Sequence, residues 1–322
     1  MIESVRNLLK LAWSHRGKFG LLLASVLASL ILIFPFGDLS DLVSSQISKM
    51  TQNQVYVQFE EMKLGLLSGL GLSFEEIQVE AVGFPPLQAR EVKISPSLRT
   101  LITQKPAGSI SAKDFLHGDV DLSLQPGKKS DNGVERQQLI VNAQRLNLAQ
   151  MGDLLQLPVA LRGQLDLSGS ALADLTLQEQ PEVEVLLKVD RFELPSANIQ
   201  TMMGPLNLPE LKLASLELKG RLAAGKFIIE NGAIGKDSDE VFGSIKGDLD
   251  VKFRNSGGGV SPQMGGYNLE VDLKIKKTFQ DRAGIFLIAV DNYKTPIPEG
   301  SHYHFRLNAL NTLSPPNITA PR

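Results

Sequence analysis

Beyond residue 54 the chain is patterned with a period of two. Val241, Gly243, Ile245, Gly247, Leu249, Val251 and Phe253 alternate with Ser244, Lys246, Asp248, Asp250, Lys252 and Arg254. Tyr267, Leu269, Val271, Leu273 and Ile275 alternate with Asn268, Glu270, Asp272, Lys274 and Lys276. The segments 161–169, 120–124 and 183–189 follow the same rule. Successive strand side chains point to opposite faces, so each segment carries one apolar and one polar face. Such strands belong to an antiparallel sheet, since a parallel α/β sheet would show near-continuous apolar runs. The expected fold is mainly β, with one large antiparallel sheet that is either curled or sandwich-like.

Turn signals separate the strands: Pro85-Pro86, Pro126-Gly127, Asn132-Gly133, Asn231-Gly232, Gly257-Gly258-Gly259 and Gly265-Gly266. Residues 216–229 read as two strands joined at Ala223-Ala224-Gly225. Two short helices are expected within the β pattern. Leu148, Met151, Leu154 and Leu155 form one, with Asn147 as its cap and Pro158 as its end, and 278–287 forms the other.

The N-terminus breaks the pattern. Phe19 to Phe36 is an uncharged apolar run of 18 residues, which as a helix would span about 27 Å, close to one hydrocarbon core. Arg6, Lys10, Arg16 and Lys18 precede it, and Asp38 and Asp41 follow it. By the positive-inside rule, residues 1–18 are cytoplasmic, 19–36 form a single transmembrane helix and the bulk of the chain lies outside the cytoplasm. Val26-Leu27-Ala28 has the spacing of a signal-peptide cleavage site. Cutting there would leave the apolar run from Leu30 on the mature protein, so an uncleaved anchor is the expectation. Residues 37–53 follow as an amphipathic juxtamembrane helix, with Asp38 at its N-cap and Leu39, Leu42, Val43, Ile47 and Met50 on one face. It should pack on the edge of a β-rich domain occupying 54–322, which has a candidate sub-boundary near 145.

Composition narrows the function. With no cysteine, the chain has no disulfides, no cysteine nucleophile and no Cys-based zinc site. Thirty-three basic and 35 acidic residues leave a net charge of −2, so no bulk field favours nucleic acid. No Gly-x-Ser-x-Gly elbow occurs. Gly127-Lys128-Lys129-Ser130 lacks the upstream glycine and the Ser/Thr position of a phosphate loop. His302 and His304 would share a strand face but have no third ligand nearby in sequence, and His15 and His117 stand alone. Asp237, Asp239 and Glu240 lack the glycine and terminal glutamate of a calcium loop. Asn317-Ile318-Thr319 is a sequon that matters only in a glycosylating compartment. The residues therefore point to a non-enzymatic scaffold or binder, with no cofactor and no metal.

The apolar side of every strand needs a cover. A second sheet would give a sandwich. One long sheet curling on itself would instead leave an apolar groove, with Leu165, Leu167, Ile245, Leu249, Val251, Leu269, Val271 and Leu273 as its candidate lining.

Two blocks carry a family resemblance. LIVNAQRLNLAQMGDLLQLPVALRGQLDLSGSALADL (139–175) resembles the AsmA-like proteins, bacterial inner-membrane-anchored envelope proteins with long curled sheets. Residues 192–253 are similar to the type II secretion system protein N family. The similar features are GPLNLPEL at 204–211, the LELKGRLAAGKFII hairpin and the following GSIKGDLDV strand. Here Gly235-Lys236-Asp237 stands where that family has a Gly–Asp pair. The resemblance implies a single-pass inner-membrane protein with a periplasmic β domain, acting as an accessory subunit in the export of folded proteins across the outer membrane. Its implied partners are the inner membrane and other secretion-system or envelope proteins. The alternative is an AsmA-like lipid-binding or lipid-transfer protein, whose ligands would be acyl chains of phospholipid or lipopolysaccharide.

Overall fold

A computed structural model describes residues 40–65, 71–97, 105–130, 132–174, 177–201, 204–255, 260–311 and 314–321, with single positions at 17, 21, 25, 26, 29 and 100. The expected span at 19–36 therefore lies outside the described residues, save for Leu21, Ser25, Val26 and Ser29, which are helical. Among the described residues no helix is long and apolar enough to cross a membrane.

The chain is mainly β. Helix α1 (Ser40–Met50) leads into β1 (Val55–Gln58), β2 (Glu61–Gly65), β3 (Gly71–Ala81), β4 (Leu87–Pro96), β5 (Gly108–Phe115), β6 (Gly118–Pro126) and β7 (Gln137–Asn147). Helix α2 (Leu148–Leu154) precedes β8 (Arg162–Ala173), β9 (Glu182–Leu194), β10 (Ala197–Thr201), β11 (Gly204–Leu208), β12 (Leu211–Ala223), β13 (Lys226–Ile234), β14 (Val241–Asn255) and β15 (Val260–Lys276). Helix α3 (Lys277–Leu287), a 3-10 turn, β16 (Lys294–Ile297), β17 (Gly300–Ala309) and β18 (Asn317–Thr319) complete it.

Sixteen of these strands form one antiparallel sheet in the order β1-β3-β4-β5-β6-β7-β8-β9-β12-β13-β14-β15-β17-β16, with β2 beside β3 and β18 beside β17. Only the β10–β11 hairpin stands apart. No sandwich forms: the second sheet that would cover the apolar side is missing among the described residues. The sheet also runs without interruption through residue 145, inside β7. At a strand spacing of about 4.8 Å, the 14-strand path measures on the order of 60 Å along the sheet.

Both lateral edges are divided. The outer side of β3 carries β1 and β2, and the outer side of β17 carries β16 and β18. These edge strands are only four, five, four and three residues long, and Pro296 removes a donor from β16. Short, proline-bearing edges resist strand addition.

Bulges bend the sheet. Strands β3, β5, β7 and β9, which run parallel to one another, each hold one non-glycine residue in the left-handed region: Glu76 (φ 49°), Asp114 (φ 57°), Arg145 (φ 58°) and Arg191 (φ 54°). At Asp114, Arg145 and Arg191 the register shifts by one residue against a neighbouring strand, and such an extra residue kinks a strand and increases its twist. Asn231-Gly232 and Gly265-Gly266, expected as turns, lie inside β13 and β15, at or beside register shifts against neighbouring strands. The structure thus corrects the turn reading there. The Ala223-Ala224-Gly225 turn forms as expected, with positive φ at Ala224 and Gly225.

The helices form close to expectation. Asn147 caps α2, its Oδ1 accepting from the backbone of Ala149 and Gln150. In α1 the inward face is narrower than the sequence suggested. Val43 and Ile47 pack against Val57, Phe59, Met62 and Phe74, with Ser44 also buried, whereas Leu42 and Met50 face solvent. Asp38 and Leu39 lie outside the described residues.

Candidate functional site

The site is a whole face of the sheet. Register partners share a face, and two consecutive rows cross nearly every strand without meeting a polar residue. The first runs Met62, Phe74, Val92, Ala112, Val120, Ala143, Leu167, Leu187, Leu218, Gly232, Ile245, Val271, Phe305. The second, one step further along the strands, includes Leu72, Ile94, Ile110, Leu122, Val141, Val185, Ile229, Leu269 and Leu307, with Gly169, Gly220 and Gly247 between them.

The three helices cover one margin of this face. α2 sets Leu148 and Met151 against Ala143, Leu146, Leu165 and Val189. α3 sets Phe279 and Ala283 against Val241, Val271, Ile275, Tyr303 and Phe305. The first row is accordingly buried at Met62, Phe74, Ala143, Val271 and Phe305. In the second row only Gly220 is buried, and Ile94 and Ile110 remain 39% and 42% exposed. Apolar surface left in water is unfavourable by about 25 cal/mol per Å², so a continuous strip of this kind signals a ligand or partner.

Among the described residues no large side chain is fully buried, as expected of a sheet one layer thick.

All eight expected lining residues lie on this face. Leu165 and Leu167 are on β8; Ile245, Leu249 and Val251 on β14; Leu269, Val271 and Leu273 on β15. Leu165 and Val271 are buried, and the other six are half-buried. The sequence reading found the alternation of Val120 and Leu122 but missed the rest of the N-terminal third of the strip, Phe74, Ile94 and Ile110 among it. In β3 the polar pair Glu75-Glu76 interrupts the alternation between Phe74 and Ile77, which hides the period.

The opposite face is polar and laced with cross-strand ion pairs, including Lys63–Glu75 (2.6 Å), Lys113–Glu91 (2.8 Å) and Lys226–Asp248 (2.9 Å). The Lys113 ammonium is the main reason the Glu91 carboxyl sits below the usual carboxylate range. Pairs as exposed as these are screened by solvent and contribute little stability. They mark this face as the wet one.

His302 and His304 share this polar face with their rings stacked 6.2 Å apart, and each bonds a β15 carboxylate: His302 Nε2 to Asp272 (3.0 Å) and His304 Nε2 to Glu270 (2.9 Å). His304, then Arg306, holds the Glu270 carboxyl below its ordinary value. Among the described residues no group of three or more His, Cys, Asp or Glu is placed to hold a metal. Asp239 serves the backbone, its Oδ2 accepting from Ala214 and Lys236 (2.7 and 2.9 Å). Glu240 pairs with Arg282 and accepts from Thr278. His117 occupies the β5–β6 turn, and Ser130 donates to Glu179.

No family model, no curated protein and no solved structure matches this chain.

Proposed function

We propose that this chain is a membrane-anchored envelope protein that shelters acyl chains against the apolar face of its sheet. One observation carries the reading: an unbroken apolar strip crosses the sheet, and its second row is left open by helices that cover only one margin. A hydrocarbon chain needs a smooth aliphatic track and no hydrogen-bond partners, and the row from Leu72 to Leu307 supplies that. The sheet is open and its rows run across the strands, so a chain could move along the strip without crossing a polar barrier. The anchor at 19–36 would hold the strip beside the lipid source.

Seating other envelope or secretion proteins is the second reading. The edge strands span three to five residues, so a protein partner would have to use the same apolar face.

The test is photo-crosslinking of the full chain in living cells. Benzoylphenylalanine is placed at Ile110 or Leu269 on the strip and, as control, at Leu186 on the polar face. Adducts with the mass of a phospholipid or lipopolysaccharide at the first two positions and not at Leu186 support the proposal. Protein adducts alone at the strip positions would replace it with the second reading.

A further inference from the structure

We infer that the corner of the sheet nearest the chain's N-terminus rests on a lipid surface, an orientation that builds on the anchor reading above. Three elements meet there. The β3–β4 turn, residues 82–86, is tied to the segment after α1 by a hydrogen bond from the Val82 amide to the Gln54 carbonyl (3.1 Å). It is tied to the end of α2 by Gln156 Nε2 donating to the Gly83 carbonyl (3.1 Å). Large apolar side chains face solvent around these elements: Met50 at the end of α1, Val82 and Phe84 on the turn, Leu155 and Leu157 after α2. Isolated exposed apolar residues are ordinary, but five of them around three hydrogen-bonded elements form a patch.

The chain itself says what covers that patch. The uncharged run 19–36 ends only three residues before Ser40, and four residue steps reach at most about 14 Å. Helix α1 adds about 16 Å. A membrane holding residues 19–36 therefore lies within reach of this corner, and an aromatic on a hairpin tip beside prolines is suited to the headgroup boundary.

The full chain is expressed in membranes with Trp13, its one tryptophan, changed to phenylalanine, and with a single new reporter: Phe84→Trp, or Leu310→Trp as the control. Leu310 is exposed just past β17, at the end of the sheet far from the helices. After reconstitution into phosphatidylcholine vesicles containing brominated acyl chains, the Phe84→Trp emission is expected to be blue-shifted and quenched, and the Leu310→Trp emission to be neither. Alkaline carbonate extraction of the same membranes reports separately on the anchor. If the chain resists carbonate and the Phe84→Trp reporter is unquenched, the docking inference is wrong and the anchor stands. If carbonate releases the chain, the anchor reading fails and the inference falls with it.

Discussion

Gln180 pairs with Phe253 as though it were a short strand: its Oε1 accepts from the Phe253 amide at 2.8 Å and its Nε2 donates to the Phe253 carbonyl at 3.1 Å. Gln180 precedes β9 and Phe253 lies on β14, with β12 and β13 between those strands in the sheet. The contact exists because the β12–β13 hairpin turns early, and β14 and β15 run past it. The Val251 amide donates to the Gly225 carbonyl at 2.9 Å, which draws the extension across the turn, and Leu222 near that turn is buried. Removing Gln180 leaves a half-buried backbone pair without its partner. Gln180→Ala should lower stability by about 1 kcal/mol and speed amide exchange at Phe253 by several-fold to tenfold. Exchange at Phe253 equal to that of the parent chain would show that the extension holds without the latch.

Two glycines of β14 occupy backbone that side chains rarely adopt, and a Cβ there would meet the next strand. At Gly243 (φ +158°) it would fall 2.0 Å from the Asp272 carbonyl oxygen, and at Gly247 (φ +142°) 2.1 Å from that of Asn268. Neither oxygen can yield without breaking the β14–β15 ladder. Gly247→Ala should therefore destabilise the chain by about 2 kcal/mol or more. Gly284, in helix α3, has nothing within 4 Å of its virtual Cβ. Gly284→Ala should stabilise by about 0.5–1 kcal/mol, since alanine restricts the unfolded chain and favours helix. Urea midpoints of the two variants should move in opposite directions, and a common direction would contradict the backbone reading.

The β12–β13 turn has room for improvement. Ala224 and Gly225 both have positive φ (51° and 76°), the conformation of a two-residue hairpin turn that prefers Asn-Gly. Ala224 is exposed and tolerates a larger side chain. Ala224→Asn should stabilise by about 0.5–1 kcal/mol and Ala224→Val should destabilise by a similar amount, because a β-branched residue resists the left-handed region. Thermal melts would decide, and equal melting temperatures for both variants would sink the assignment of turn type.

Much of this architecture is legible before any coordinates, for a physical reason. A half-buried strand must alternate, so β14 and β15 announce both their existence and their apolar faces, and Asn147 and Pro158 bracket α2 by capping and chain-stiffness rules. What escapes is whatever breaks the period. Arg145 in β7 and the Asn231-Gly232 pair in β13 each sit where an extra residue shifts the phase, and glycine-bearing bulges read like turns because both need the same backbone freedom. The choice between sandwich and single sheet escaped for another reason. An alternating strand specifies that its apolar side is covered or used, and not by what. Leu167 and Leu269 could be assigned to one face, yet only the order of strands places them in one continuous strip. Leu42 and Met50 fit the helical period of α1 and still face outward, because β1 to β3 offer surface to one side of the helix only.

Tyr303 carries the pH dependence that tests how dry the helix-covered margin is. It lies 3% exposed in the cluster formed by Val241, Ile275, Phe279 and Phe305, and burial, then the nearby Asp291 charge, pushes its phenol above the ordinary value of 10.0. The unfolded chain thus ionises this phenol at a lower pH than the folded chain does. The resulting stability is fully present below about pH 10, the unfolded value, and is lost as pH rises through the folded value. Tyr303→Phe keeps the ring in its cluster and removes the titrating group. The parent chain should lose stability more steeply than Tyr303→Phe above about pH 10, with matching slopes between about pH 7 and 9. The difference between the two curves cancels the lysines that titrate in the same range. Parallel curves up to alkaline unfolding would mean that water reaches Tyr303, and that the margin under α3 is as open as the row beside it.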